Sequence, residues 1–150
     1  MHLTRRTLML KLKLMNLSNC WYNEDLAERL HRLMQTENAI GLAANQVGLR
    51  DRCFVMKIDQ SKWSCFNPEI IESSQDLVDF EEGCLSFKGE SCIIKRPDLI
   101  TVRYRDAVNC EHVEQLTGLA SRCFQHELDH LNGITMWDRY KEQNAEQPRD

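Results

Sequence analysis

The first sustained pattern along the chain is helical. Leu26, Leu30, Leu33 and Met34 recur at the spacing of one helix face within residues 23–36. Asn23 is placed to cap the first turn, and Glu24 and Asp25 sit at the positive end of the helix dipole. From 41 to 48 the chain is small and apolar, too apolar for an ordinary surface loop. Short β-type runs follow at 53–58, 63–66, 92–95 and 99–104. Turn signals at Asn67-Pro68, Lys88-Gly89 and Arg96-Pro97-Asp98 connect these runs as hairpins rather than βαβ units. A second helix is predicted over 118–132, with Leu119, Cys123, Phe124, Leu128 and Leu131 on its apolar face and Asn132-Gly133 as its stop. The alternation from Met9 to Leu14 fits a half-exposed strand or frayed arm within residues 1–15, and residues 141–150 read as a polar tail. The pattern predicts a single α+β domain over 1–150, antiparallel sheets around a central helix with a further helix near the N-terminus.

Composition narrows this picture by exclusion. Nineteen basic against 23 acidic side chains give a net charge of −4, the wrong sign for a general nucleic-acid binder. No apolar run approaches the ~18 residues of a membrane-spanning helix. Arg5, Arg6, Lys11 and Lys13 precede the first acidic residue, Glu24, as in a transit peptide. The longest apolar stretch there, Leu8-Met9-Leu10, is too short for a secretory core, so cytoplasm is preferred to organelle import. The seven cysteines are odd in number, widely spaced and without a CxxC pair, which points to free thiols in a reducing compartment.

Candidate chemistry lies in His126-Glu127-Leu128-Asp129-His130. Residues four apart lie about 40° apart around a helix, so the two imidazoles can converge on one metal ion, with Glu127 beside them as general base. Such a site needs a third protein ligand. The position of the third histidine in the extended metzincin pattern holds Met136, and no His follows His130, so the ligand lies upstream. A thiolate, His112, His31 and a carboxylate are all candidates. Cys84, in Glu81-Glu82-Gly83-Cys84-Leu85-Ser86, has the best setting, where the carboxylates and Gly mark a tight backbone passage rather than a core strand. Gln46 is a lone amide in an apolar stretch that needs partners if buried.

Three segments together resemble the peptide deformylase family, whose motifs read GxGxAAxQ, EGCLS and HExDH. The counterparts here are Ala39-Ile40-Gly41-Leu42-Ala43-Ala44-Asn45-Gln46, Glu82-Gly83-Cys84-Leu85-Ser86 and His126-Glu127-Leu128-Asp129-His130, in the family's order. Asn67-Pro68-Glu69, Arg96-Pro97 and Gly118-Leu119-Ala120 are similar to its flanking segments, and the likeness spans about residues 22–138. Ala39 departs from the first Gly of motif one. The short ends are similar to phage-encoded members and argue against ribosome docking.

The resemblance implies a hydrolase that removes formate from N-formylmethionine at the start of nascent peptides. It implies one divalent metal held by Cys84, His126 and His130, commonly Fe(II), with Zn, Ni or Co able to substitute. Glu127 would activate the bound water, and the Gln46 amide and Leu85 backbone N–H would hold the oxyanion. The peptide would lie along Gly41, with Ile40, Leu119 and Cys123 around the methionine side chain. No nucleic-acid or membrane partner is implied, and the chain is expected to act as a monomer in the cytoplasm of a bacterium or phage-infected host. Two other readings of the residues are a zinc-dependent peptidase, which would not need Cys84, and a catalytically silent metal- or peptide-binding domain. Elsewhere His2, His31 and His112 read as surface residues, Trp21, Trp63 and Trp137 as packing, and Glu82 with Arg96 as an ion pair. Asp129 reads equally as a group orienting a ligand or as a solvent-facing charge.

Overall fold

A computed structural model describes residues 19–145; the arm predicted within 1–15 lies outside them. Helix α1 (Glu24–Thr36) begins where the Asn23 side chain accepts from the Leu26 N–H, 3.0 Å. Strand β1 (Gly41–Ala43) leads through a 3-10 turn (Ala44–Val47) into β2 (Cys53–Ile58) and β3 (Ser61–Ser73). A second hairpin follows, β4 (Leu77–Gly83) and β5 (Ser91–Pro97), its strands linked by a 3-10 turn at Leu85–Phe87. The chain then makes β6 (Ile100–Arg105), β7 (Glu111–Leu116), helix α2 (Gly118–Leu131) and helix α3 (Met136–Asn144).

The strands form an antiparallel five-stranded sheet, ordered β1-β2-β3-β6-β7, and the separate β4–β5 ribbon. Burial on β2 explains the layering. Phe54 and Met56 point to one face, where they meet Phe124, Leu128 and Leu131 of α2. Cys53 and Val55 point to the other, where they meet Leu26, Leu30 and Met34 of α1. The sheet is therefore covered on both faces, and four consecutive residues, Cys53 to Met56, are buried. The ribbon closes over the far side of α2, and α3 packs Met136 against its Phe87, Cys92 and Ile94.

Several expectations are corrected. The turn signal Asn67-Pro68 does not end β3: Asn67 takes a left-handed conformation (φ 52°), the register shifts between Phe66 and Glu69, and the ladder resumes. Glu81 and Glu82 lie in a regular strand rather than a tight backbone passage, although not a core strand, since only Glu82 of β4 is buried. Strands β4 and β7 and helix α3 carry no sequence prediction. The first four residues of the predicted polar tail, 141–144, belong to α3, which a capping box between Thr135 and Asp138 starts. Trp21 packs against little, being 85% exposed, whereas Trp63 and Trp137 do pack against apolar clusters. His31 is half-buried on Ser64 rather than free at the surface. All seven cysteines are free thiols, and four are buried.

Candidate metal centre

Strand alternation sets the first half of the site. Along β4, Glu81 turns outward to Ser91, while Glu82 turns inward beneath α2. Past Gly83 the chain stays extended through Cys84 (φ −150°) before the 3-10 turn, which brings the thiol to the helix. Helix spacing sets the second half. Arg122, His126 and His130 lie at four-residue intervals on α2, and all three are buried.

The ligating atoms of Cys84, His126 and His130 lie within 4.8 Å of one another, and Cys84 Sγ is 3.6 Å from His130 Nε2. His126 Nδ1 donates to Glu82 Oε1 at 2.9 Å, which leaves Nε2 as that ring's free donor atom. Burial alone would raise the Cys84 thiol, but the two imidazoles, His130 foremost, outweigh it and bring it down to about 5. Burial and the neighbouring His130 press His126 downward, yet its bonds to Cys84 and Glu82 lift it to about 9. One thiolate and two imidazoles are the donor set of a borderline-soft divalent cation. The spacing fits as well. A sulfur about 2.3 Å and a nitrogen about 2.05 Å from one ion, at the tetrahedral angle, are about 3.6 Å apart. His112 and His31, the alternative third ligands, stand elsewhere on Asp106 and Ser64, and no other such cluster occurs among the described residues.

Glu127 sits beside this cluster with 4% exposure. Its Oε2 lies 3.5 Å from His130 Nδ1, and among the described residues neither atom has a hydrogen-bond partner. A buried carboxylate oxygen with an unused lone pair is equipped to accept a proton. The backbone of β1 approaches this carboxylate through Gly41, where a Cβ would fall 2.7 Å from Cys123 Sγ and 3.0 Å from Glu127. Glycine is required there for close approach. Gln46 is held by both ends of its amide: Oε1 accepts from Ala43 N at 2.9 Å, and Nε2 donates to Ser86 Oγ at 3.0 Å and reaches Cys84 Sγ at 3.4 Å.

Glu127, Gln46, Leu85, Ile40, Gly41, Leu119 and Cys123, singled out from the sequence, line one cavity of about 470 Å³ with Cys84 and His126. Its mouth is apolar, with Ile40 45%, Phe80 46% and Leu119 41% exposed. Strand β1, on its wall, is an edge strand with one side unpaired in the sheet.

The sequence reading missed three contributors. Phe80 shares the inward face of β4 with Glu82, two residues away, and lies under the Arg122 guanidinium at 5.4 Å. Arg122 donates to Glu82 Oε2 at 2.8 Å and to the carbonyls of Ile94 and Val78. Its signal was present: a cation one turn before His126 on a ligand-bearing face needs a buried partner. Asn45 donates to the His130 carbonyl and ties the 3-10 turn to α2. Asp129 faces protein rather than solvent, taking Arg96 and Arg139, and Glu82 pairs with Arg96 as expected.

Comparison with known proteins agrees with this geometry. The family model described as polypeptide deformylase matches residues 9–146. The chain is 42% identical over 124 residues to the peptide deformylase of Thermotoga neapolitana, covering 80% of this chain and 75% of that protein. It superposes on the crystal structure of the Thermotoga maritima peptide deformylase with a TM-score of 0.81 and 38% identity, over 85% of this chain and 89% of that one. A probable peptide deformylase from Synechococcus phage S-SSM7 is similar at TM-score 0.80 and 31% identity, over 85% and 92% of the two chains.

Proposed function

This chain belongs to the polypeptide deformylase family, hydrolases that remove the formyl group from N-formylmethionine peptides, and from that premise we propose a role for each residue of the centre. Cys84, His126 and His130 hold one divalent metal, Fe(II) in the cell, with zinc, nickel or cobalt able to take the same ligands. A metal held there would supply Lewis-acid chemistry, polarising a carbonyl oxygen and lowering the pKa of water.

The remaining chemistry belongs to the chain's own residues. Glu127 accepts the proton of the attacking water at a carboxylate oxygen and returns it to the departing methionine nitrogen. The Gln46 Nε2 and the Leu85 N–H donate to the formyl oxygen as it gains negative charge; one such donor is worth about 3–4 kcal/mol in the transition state. Gln46 is suited to this because its carbonyl end is fixed on Ala43 N, which aims Nε2 into the site; a hydrogen now directed at Ser86 Oγ or Cys84 Sγ turns to the formyl oxygen. The substrate backbone adds to the unpaired edge of β1 at Gly41, and Ile40, Leu119 and Cys123 take the methionine side chain. Free thiols throughout the chain support a reducing, cytoplasmic setting. Among the described residues no helix is long and apolar enough to cross a membrane.

The observation that carries this reading is the buried Glu127 carboxylate, whose Oε2 makes no hydrogen bond among the described residues and lies 3.5 Å from His130 Nδ1. The test is formate release from formyl-Met-Ala-Ser by anaerobically purified wild type and Glu127→Gln, with metal content measured on both. We expect kcat/KM to fall by about 10²–10⁴ in the variant at unchanged metal content. Equal rates at equal metal content would remove Glu127 from the proton transfer.

A further inference from the structure

We infer that Arg139, on the C-terminal helix, is a positioning residue for the metal centre, acting through Asp129, Arg96 and Glu82 on the imidazole of His126. The inference rests on the reading of Cys84, His126 and His130 as metal ligands. Arg139 grips Asp129 with two prongs of its guanidinium, Nε to Oδ2 at 3.0 Å and Nη2 to Oδ1 at 2.7 Å. Asp129 Oδ2 also accepts from Arg96 Nη1 at 2.8 Å. Arg96 in turn holds both oxygens of Glu82, Nε to Oε2 at 2.6 Å and Nη2 to Oε1 at 3.0 Å. Glu82 Oε1 is the acceptor that fixes His126 Nδ1.

The links are directional. A guanidinium is planar, so its contact with Asp129 at one nitrogen and with Glu82 at the other two fixes both its plane and its rotation. Asp129 and Arg96 are buried, at 7% and 5% exposure, so neither can exchange a lost partner for water. With Arg139 present, Asp129 shares its charge between two cations. Without it, Arg96 alone faces that carboxylate and is drawn toward it, at the expense of its grip on Glu82. Arg122 still holds Glu82 Oε2, so His126 is loosened rather than released. Arg139 itself stands where α3 is anchored. Met136 is buried against the ribbon, and the Gln143 amide bonds both backbone groups of Lys95, at 2.9 and 2.8 Å.

The experiment is cobalt(II) affinity by chelator competition, with the visible spectrum of the cobalt protein as reporter of ligand arrangement. The proteins are wild type, Arg139→Gln, Arg139→Lys, Gln143→Ala and Cys84→Ser. Loss of a group bonded directly to a ligand costs about 10–100-fold in affinity, and Arg139 lies further out, so we expect Arg139→Gln to bind cobalt about three- to ten-fold more weakly. Its spectrum should shift, with partial recovery in Arg139→Lys. Gln143→Ala, which loosens the helix from β5 without touching the relay, should keep wild-type affinity and spectrum. Wild-type affinity in Arg139→Gln overturns the inference, as does an equal loss in Gln143→Ala, which would make helix docking the cause. Wild-type affinity and spectrum in Cys84→Ser would overturn the ligand assignment, and the relay with it.

Discussion

Toward the five-stranded sheet, α2 presents Phe124, Leu128 and Leu131, which pack among Phe54, Met56, Ile100 and Val102; Phe124 meets Phe54 edge-on at 5.0 Å. Toward the β4–β5 ribbon it presents Arg122, His126 and Asp129, which are met by Glu82 and Arg96. Both flanks are buried, yet they do different things. Apolar contacts are non-directional, so the sheet side holds the helix in place without dictating the orientation of any one group. Charged contacts in a low-dielectric setting are directional and interdependent, because losing one partner strands the other. In the proposed centre, the side that aims the His126 imidazole at the ion is the charged one.

The sharpest way to break this contrast is Arg96→Met. It leaves Glu82 and Asp129 buried, each short of a guanidinium, and breaking a buried pair in this way costs about 3–5 kcal/mol. Denaturant unfolding should show that loss, and the protein that remains folded should retain metal poorly. Folding stability within 1 kcal/mol of wild type would mean that the ribbon is held by packing alone.

On the apolar flank, Leu131→Ala should cost about 2–5 kcal/mol by leaving a cavity under a fully buried side chain. Its folded fraction should bind metal and release formate like wild type. A matching loss of metal affinity would dissolve the division of labour between the two flanks.

The smallest effect sharpens the role of burial. Asp25 and Arg29 on α1 form a 3.0 Å pair with side chains 69% and 72% exposed. Replacing Arg29 by Ala should change stability by no more than about 0.5 kcal/mol by the same unfolding measurement, because water and salt screen an exposed pair.

The apolar flank is also the half that was legible in the sequence. Helical spacing located α1 and α2 to within a residue or two, and β2, β6 and parts of β3 and β5 were visible as short β-type runs. The proposed ligands could be singled out because His126 and His130, four residues apart on one helix, converge by local geometry alone. The charged flank was largely hidden. The Glu82–Arg96 pair was anticipated, but Arg122 and Arg139 were not, and only tertiary folding brings them into one network of bonds with it. Strand β4 escaped notice because five of its first residues are exposed and show no alternation. Strand β7 is an edge strand, mostly charged and polar, whose Val113 is exposed and whose one buried position is Leu116. Helix α3 was obscured by its polar composition, although Thr135 and Asp138 three residues apart carried a capping signal.

The central claim is that one metal joins the ribbon to the helix, with Cys84 supplied by the charged hairpin and the two imidazoles by α2. X-ray absorption at the metal edge of the zinc- or iron-loaded protein tests it directly. The account predicts a first shell with one sulfur, at about 2.3 Å for zinc, and two imidazole nitrogens near 2.0–2.1 Å. A shell of nitrogen and oxygen alone, with no sulfur scatterer, would contradict it.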